Sequence, residues 1–189
     1  YGLISMGHCI TCIGHHLTIV APFVNTHLLA YEINEGCGAV GKRLSATMKV
    51  NGNGSLMSMG HGDTIVIADT NFPASSVARS THLGRPLMMS NLSAAQTVQA
   101  ILSVLPLDTF VDDFAMRMEV VGNPAELPAV QREVQVEIDK AEGRPRPLVG
   151  VERFAFYEQA KSSYAVVVSG ERRFYGCFVL RKGVIAPDA

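Results

Sequence analysis

The sequence predicts an α/β domain built in layers, and three observations carry that expectation. Two short apolar runs rich in β-branched residues, Thr64-Ile65-Val66-Ile67-Ala68 and Tyr164-Ala165-Val166-Val167-Val168, read as buried strands. Between them lie stretches whose apolar residues recur at three- and four-residue steps, the period of an amphipathic helix. The alternation of the two kinds is the signature of helices layered on a sheet. Hydrophobic residues make up 48% of the 189 and charged residues only 17%, so the chain has the material for a packed core.

Taken in order, residues 1–54 differ from the rest. They hold four of the six histidines and three of the four cysteines, with few charges before Lys42. The apolar residues from Leu17 to Leu29 could make a helix, but Pro22 interrupts it. Cys9-Ile10-Thr11-Cys12, with His8, His15 and His16 nearby, could offer soft ligands to zinc. No second C-x-x-C follows at finger spacing and Cys37 stands alone, so incidental cysteines are the preferred reading and no metal site is assigned. Asn51-Gly52-Asn53-Gly54 is a turn or linker. The chain opens on Tyr1, as expected of a fragment, a processed chain or an incomplete gene model.

Met59-Gly60-His61-Gly62-Asp63 then leads into the first body strand, with Asp69 at that strand's carboxyl end. Histidine is the side chain suited to proton transfer near neutral pH, and ligands in α/β sheets gather beyond the carboxyl ends of strands. Taken alone, the motif reads equally well as a loop histidine with a capping acid. Residues 75–86 read as a loop. Ser93 is a suitable N-cap for a helix over Ala94–Leu105, which Pro106 stops. Phe114–Val121 alternates as a strand, with Met116 and Met118 as core fillers.

Pro128–Ala141 reads as a surface helix broken at Gly143, and Arg144 and Arg146 as loop solubility. A short helix over Phe156–Lys161, a strand over Tyr164–Val168 and a final strand over Phe174–Val184 complete the chain. No G-x-G-x-x-G, P-loop or G-x-S-x-G is present, which removes the usual sequence support for nucleotide binding and serine-hydrolase chemistry. A net charge of −1 gives no electrostatic case for nucleic acid or an anionic membrane. No apolar run is long enough to span a bilayer, and sparse cysteines suit a reduced compartment.

Several ordered blocks resemble one family. Met-Gly-His-Gly-Asp at 59–63, Ala-Asp-Thr-Asn-Phe-Pro-Ala-Ser at 68–75, Leu-Pro-Leu-Asp-Thr-Phe at 105–110, Arg-Phe-Ala-Phe-Tyr-Glu at 153–158 and Tyr-Gly at 175–176 are similar to the L-fucose mutarotase / D-ribose pyranase family. The block at Arg153 and the Arg-Lys-Gly-Val ending resemble the fucose mutarotase branch. The resemblance implies a three-layer α/β/α domain with a mixed sheet over residues 55–189, behind an atypical segment 1–54. It implies interconversion of the α and β anomers of a monosaccharide, L-fucose, without metal or organic cofactor. A cytoplasmic homo-oligomer with sites near subunit contacts is expected. Ribose pyranase activity and non-catalytic sugar binding are the alternatives.

By the same resemblance, His61 matches the catalytic histidine, and Asp69, Arg153 and Tyr175 match sugar-binding positions. Tyr175 is also a second proton-transfer candidate, and Asp63 would orient His61 or its loop. Without the resemblance, Arg153 would read as a surface partner of Glu152 or Glu158, and Tyr175 as a strand residue. Two departures stand out. The family carries Asn where this chain has Cys177, which exchanges an amide for a weak donor. Its leucine-rich helix before the histidine motif is replaced here by Lys49-Val50-Asn51-Gly52-Asn53-Gly54-Ser55-Leu56.

Overall fold

The computed structural model describes residues 9–13, 16–20, 30–33, 56 and 58–184. The Cα trace divides into two units, Tyr1–Ala46 and Thr47–Ala189. In the first, β1 (Cys9–Ile13), β2 (His16–Val20) and β3 (Ala30–Ile33) pair antiparallel as one sheet. The run at Leu17 is therefore strand rather than interrupted helix, consistent with β-branched Thr18, Ile19 and Val20. Cys9 and Cys12 lie in β1 and His16 opens β2, while His8, His15 and Cys37 fall outside the described residues. So do positions 49–55, where the family's leading helix would be.

The second unit is built on β4 (Thr64–Ala68), β5 (Leu87–Met89), β6 (Ala115–Met118), β7 (Val149–Val151), β8 (Ala165–Ser169) and β9 (Phe178–Arg181). They form a six-stranded mixed sheet in the order β5-β8-β4-β9-β6-β7. β4 is parallel to β8 on one side and antiparallel to β9 on the other. β9 also runs antiparallel to β6. Ile65 to Ala68 are buried throughout, as a central strand covered on both faces requires.

Helices α1 (Ala74–Ala78), α2 (Ala94–Leu102), α3 (Ala129–Glu142) and α4 (Arg153–Lys161) supply the two outer layers. α1 and α4 pack together on one face, where Val77, Phe156 and Ala160 join Val66, Ala68, Met116, Val166 and Val179 in one apolar cluster. By strand alternation Ile65, Ile67, Phe178 and Leu180 turn to the other face. There α2 packs on β4 and α3 packs on α2. Phe156 is fully buried, and truncating it to Ala would cost about 3–5 kcal/mol. Among the described residues no helix is long and apolar enough to cross a membrane.

The helix boundaries follow local chemistry. Ser93 and Gln96 form a reciprocal capping box, and Gly143 ends α3 at φ +67°. Several details differ from the expectations above: α4 begins at Arg153 rather than Phe156, β6 spans only Ala115–Met118, and α2 ends at Leu102 rather than Leu105. The loop expected over 75–86 contains the end of α1, formed because Val77 and Ala78 bury against the core. β5 and β7 are three-residue edge strands, too short to show a period. The last strand is only Phe178–Arg181, because Tyr175 turns the chain at φ +62°. Arg146 is not solvated: its guanidinium lies 3.8 Å from the Phe114 ring centre and 3.2 Å from Glu142 Oε2.

Candidate functional site

The carboxyl end of β4 opens into a cavity of about 380 Å³ lined by Asp69, Arg153, Tyr175 and Cys177. Asn71, Phe72, Met118, Tyr157 and Phe174 complete it, so the lining mixes polar groups with aromatic and apolar ones. Such a lining suits a ligand that carries both hydroxyls and C–H groups.

Asp69 is buried, and its Oδ1 accepts hydrogen bonds from the Asn71 and Phe72 N–H groups at 2.9 and 3.0 Å. This turn leaves Oδ2 uncommitted to the backbone. Arg153 opens α4, where Glu152 is the N-cap and accepts from the Phe154 and Ala155 N–H groups. Glu158 pairs with Lys161 instead. Neither acid takes Arg153, and its Nε is buried without a hydrogen-bond partner. The guanidinium lines the cavity 4.8 Å from the Phe154 ring centre, where a charged donor can meet an incoming polar group.

Tyr175 is the one non-glycine residue with positive φ among the described residues. That backbone is costly for a bulky side chain, and its surroundings hold it there. Gln131, itself buried, donates from Nε2 to Tyr175 O at 3.1 Å and to Met118 O at 2.7 Å. The surface helix expected over Pro128–Ala141 did not single out Gln131, because nothing in the helical period marks one polar residue as inward. The Tyr175 hydroxyl accepts from Val121 N–H at 3.2 Å, leaving its own proton available to donate. At Gly176 a Cβ would stand 2.7 Å from Glu171 Cγ and 3.3 Å from Asp69 Cβ, so glycine is needed for close approach.

The loop before Tyr175 is fastened by charge. Arg173 bonds Glu171 Oε1 at 2.8 Å and grips both Glu133 oxygens at 2.7 and 2.8 Å. The Arg173 guanidinium holds the Glu171 carboxyl down to about 2. Beside Asp69, the buried Cys177 thiol is pushed well up, first by desolvation and then by the neighbouring carboxylate. It is therefore a neutral S–H rather than a nucleophile.

His61 is elsewhere. It precedes the amino end of β4, whereas Asp69 follows its carboxyl end, so the strand's five residues, roughly 13 Å from first to last, separate them. Its Nε2 lies 3.0 Å from Asp108 Oδ2, and the Phe110 ring meets it edge-on at 6.0 Å. The Asp63 carboxylate is turned to its own loop instead, where Oδ2 accepts from Gly60 N–H at 2.7 Å. Asp108 was legible only as a letter in the Leu-Pro-Leu-Asp-Thr-Phe block, with no spacing that tied it to His61.

The structure thus brings Asp69, Arg153, Tyr175 and Cys177 together and leaves His61 and Asp63 at the opposite end of β4. Among the described residues no group of three His, Cys, Asp or Glu side chains could hold a metal ion.

This architecture has named relatives. Human fucose mutarotase is 43% identical over 135 residues, covering 70% of this chain and 86% of that protein. The crystal structure of FucU from Bifidobacterium longum matches at 38% identity with a TM-score of 0.65, covering 75% of this chain and 94% of its own. The fucose mutarotase of Streptococcus pneumoniae, solved in complex with L-fucose, matches at 32% identity and a TM-score of 0.63, covering 70% and 91%. The model of the RbsD / FucU transport protein family matches residues 48–185, and the chain belongs to that family.

Proposed function

We propose that this protein is an isomerase that interconverts the α and β anomers of L-fucose. The observation that carries the reading is the convergence of Asp69, Arg153 and Tyr175 on one half-apolar cavity, in a chain 43% identical to a fucose mutarotase. Anomerisation moves protons within the sugar: one leaves the anomeric hydroxyl, one reaches the ring oxygen, and the ring opens to an aldehyde. The carbonyl then presents its other face and the ring recloses. Positioned acid and base groups suffice for both directions. Asp69 and Arg153 hold sugar hydroxyls in charge-assisted bonds, Tyr175 donates from its free O–H, and His61 transfers a proton.

Because β4 stands between His61 and the cavity, the complete site in this reading takes His61 from a second copy of the chain. The amino end of β4 in one copy docks on the carboxyl end in the next, a heterologous contact that closes into a ring. The exposed aromatics Phe110, beside His61, and Phe154 and Phe174, at the cavity end, support such a contact. The proposed unit is a cytoplasmic homo-oligomer whose domain at 55–189 carries the activity. Sparse cysteine usage supports the reducing compartment.

Saturation transfer between the two anomeric protons of L-fucose tests the activity: wild-type protein speeds the exchange and His61→Ala abolishes the acceleration. L-fucose bound without faster exchange would make the protein a sugar binder and overturn the enzyme reading. Co-refolding His61→Ala with Arg153→Ala chains tests the shared site. Random mixing regenerates about one complete site in four, so activity returns only if the two residues come from different copies.

A further inference from the structure

We propose that Asp108 is the positioning residue of His61, fixing the neutral ring with its proton on Nε2 and leaving Nδ1 as the atom that exchanges protons with the sugar. The proposal rests on the mutarotase reading above and deepens it.

The contact is asymmetric in a way that suits this role. The Asp108 side chain is 4% exposed and the His61 side chain 50%, with Oδ2 and Nε2 3.0 Å apart. An ionised carboxylate accepts hydrogen bonds and cannot donate them, so the nitrogen facing it carries the hydrogen. In the neutral ring the other nitrogen, Nδ1, then holds the lone pair. As Nδ1 takes the proton of the anomeric hydroxyl, the O–H electron pair becomes the new C=O bond and the ring C–O bond breaks toward the ring oxygen. That oxygen receives its proton from the Tyr175 hydroxyl, and reclosure returns both protons. While the imidazole is charged, the Asp108 carboxylate balances it.

The scaffold holds the pair in register through one short stretch of chain. Asp108 N–H donates to Arg181 O at 3.0 Å, and Asp108 Oδ1 accepts from Phe110 N–H at 3.1 Å. Gly62 N–H donates to Lys182 O, and Lys182 N–H to Asp63 O, both at 2.8 Å. Gly183 N–H donates to Pro106 O at 2.8 Å, and a Cβ there would stand 2.4 Å from Leu107 O. Both the histidine loop and the Asp108 loop therefore hang from residues 181–183. Asp63, the nearer acid in sequence, is committed to Gly60 N–H.

The test is Asp108→Asn, whose oxygen still accepts from Phe110 N–H while its amide donor faces His61. Nitrogen-15 spectra of the neutral His61 ring should show the Nε2–H form in wild type and the Nδ1–H form in the variant. The anomer exchange rate should fall roughly 10–100-fold with L-fucose affinity unchanged. Added to His61→Ala, the same change should lower the rate no further. An Nδ1–H ring in wild type, or a variant rate within about twofold of wild type, would overturn the proposal. If the variant does not fold, the wild-type spectrum decides alone. Failure of the mutarotase reading looks different: wild type would not accelerate exchange at all, whatever its tautomer.

Discussion

The two ends of β4 are built to different specifications. At the carboxyl end, a concave cavity gathers buried or strained groups: Asp69 tied to its own turn, Arg153 Nε without a partner, and Tyr175 at φ +62°. At the amino end, His61 is half exposed beside a buried acid and an exposed phenylalanine. The first arrangement is suited to grip a ligand, since it gathers a carboxylate, a guanidinium and a phenol at one concave surface. The second is suited to present one reactive atom outward. In the proposed reading, grip and proton transfer are therefore separable, and each can be broken without the other.

The largest separation should come from His61→Ala. Loss of a positioned proton-transfer group should slow L-fucose anomer exchange by about 10²–10⁴-fold, while calorimetry finds sugar affinity little changed. Arg153→Met should do the reverse. Removing a charged donor should weaken L-fucose binding by about 1.5–3 kcal/mol, with the Nε2–Asp108 contact of His61 intact by NMR.

Gly176→Ala probes the cavity's construction. With Glu171 Cγ 2.7 Å from the new Cβ, overpacking should cost about 1–3 kcal/mol in urea unfolding. The Glu171 carboxyl, held from its ordinary 4.5 down to about 2, adds a pH signature at the same end. Its depressed value stabilises the fold fully above pH 4.5, and that contribution is lost as pH falls toward about 2. Glu171→Gln should be less stable near neutrality and show a flatter acid decline, read from urea midpoints at stepped pH. The smallest effect expected is from Cys177→Asn. Restoring an amide in place of a neutral thiol should tighten L-fucose binding by about 0.5–1.5 kcal/mol.

What could be read in advance divides along the same line. β4, β8, α2 and α3 announce themselves by composition, period and caps, because burial on both faces or on one stripe leaves a pattern in the letters. The edge strands β5 and β7 leave none, since three residues cannot show a period. Asp69, Arg153 and Tyr175 were placed by family motif and do meet in one cavity. Asp108 and Gln131 were missed because their importance is tertiary. Asp108 reaches His61 across 47 positions, and Gln131 holds Tyr175 across 44. No local rule connects residues that far apart, and Gln131 shares its helix with the exposed polar side chains Arg132, Glu133 and Lys140.

β9 gives this plan a consequence in biosynthesis. It is the only strand of its sheet that opposes both neighbours, and it runs from the carboxyl end of β4, where Phe178 pairs with Ile67, to the amino end, where Arg181 pairs with Thr64. The chain just before it supplies Tyr175 to the cavity, and the residues closing it fasten the loops of His61 and Asp108. A nascent chain that has emerged through β8 holds every helix described here together with His61, Asp108, Asp69 and Arg153, and lacks Tyr175 and the anchors at 181–183. Loss of that final stretch should therefore unfasten both ends of β4 at once, which L-fucose binding and anomer exchange by a chain ending at Ser169 would check.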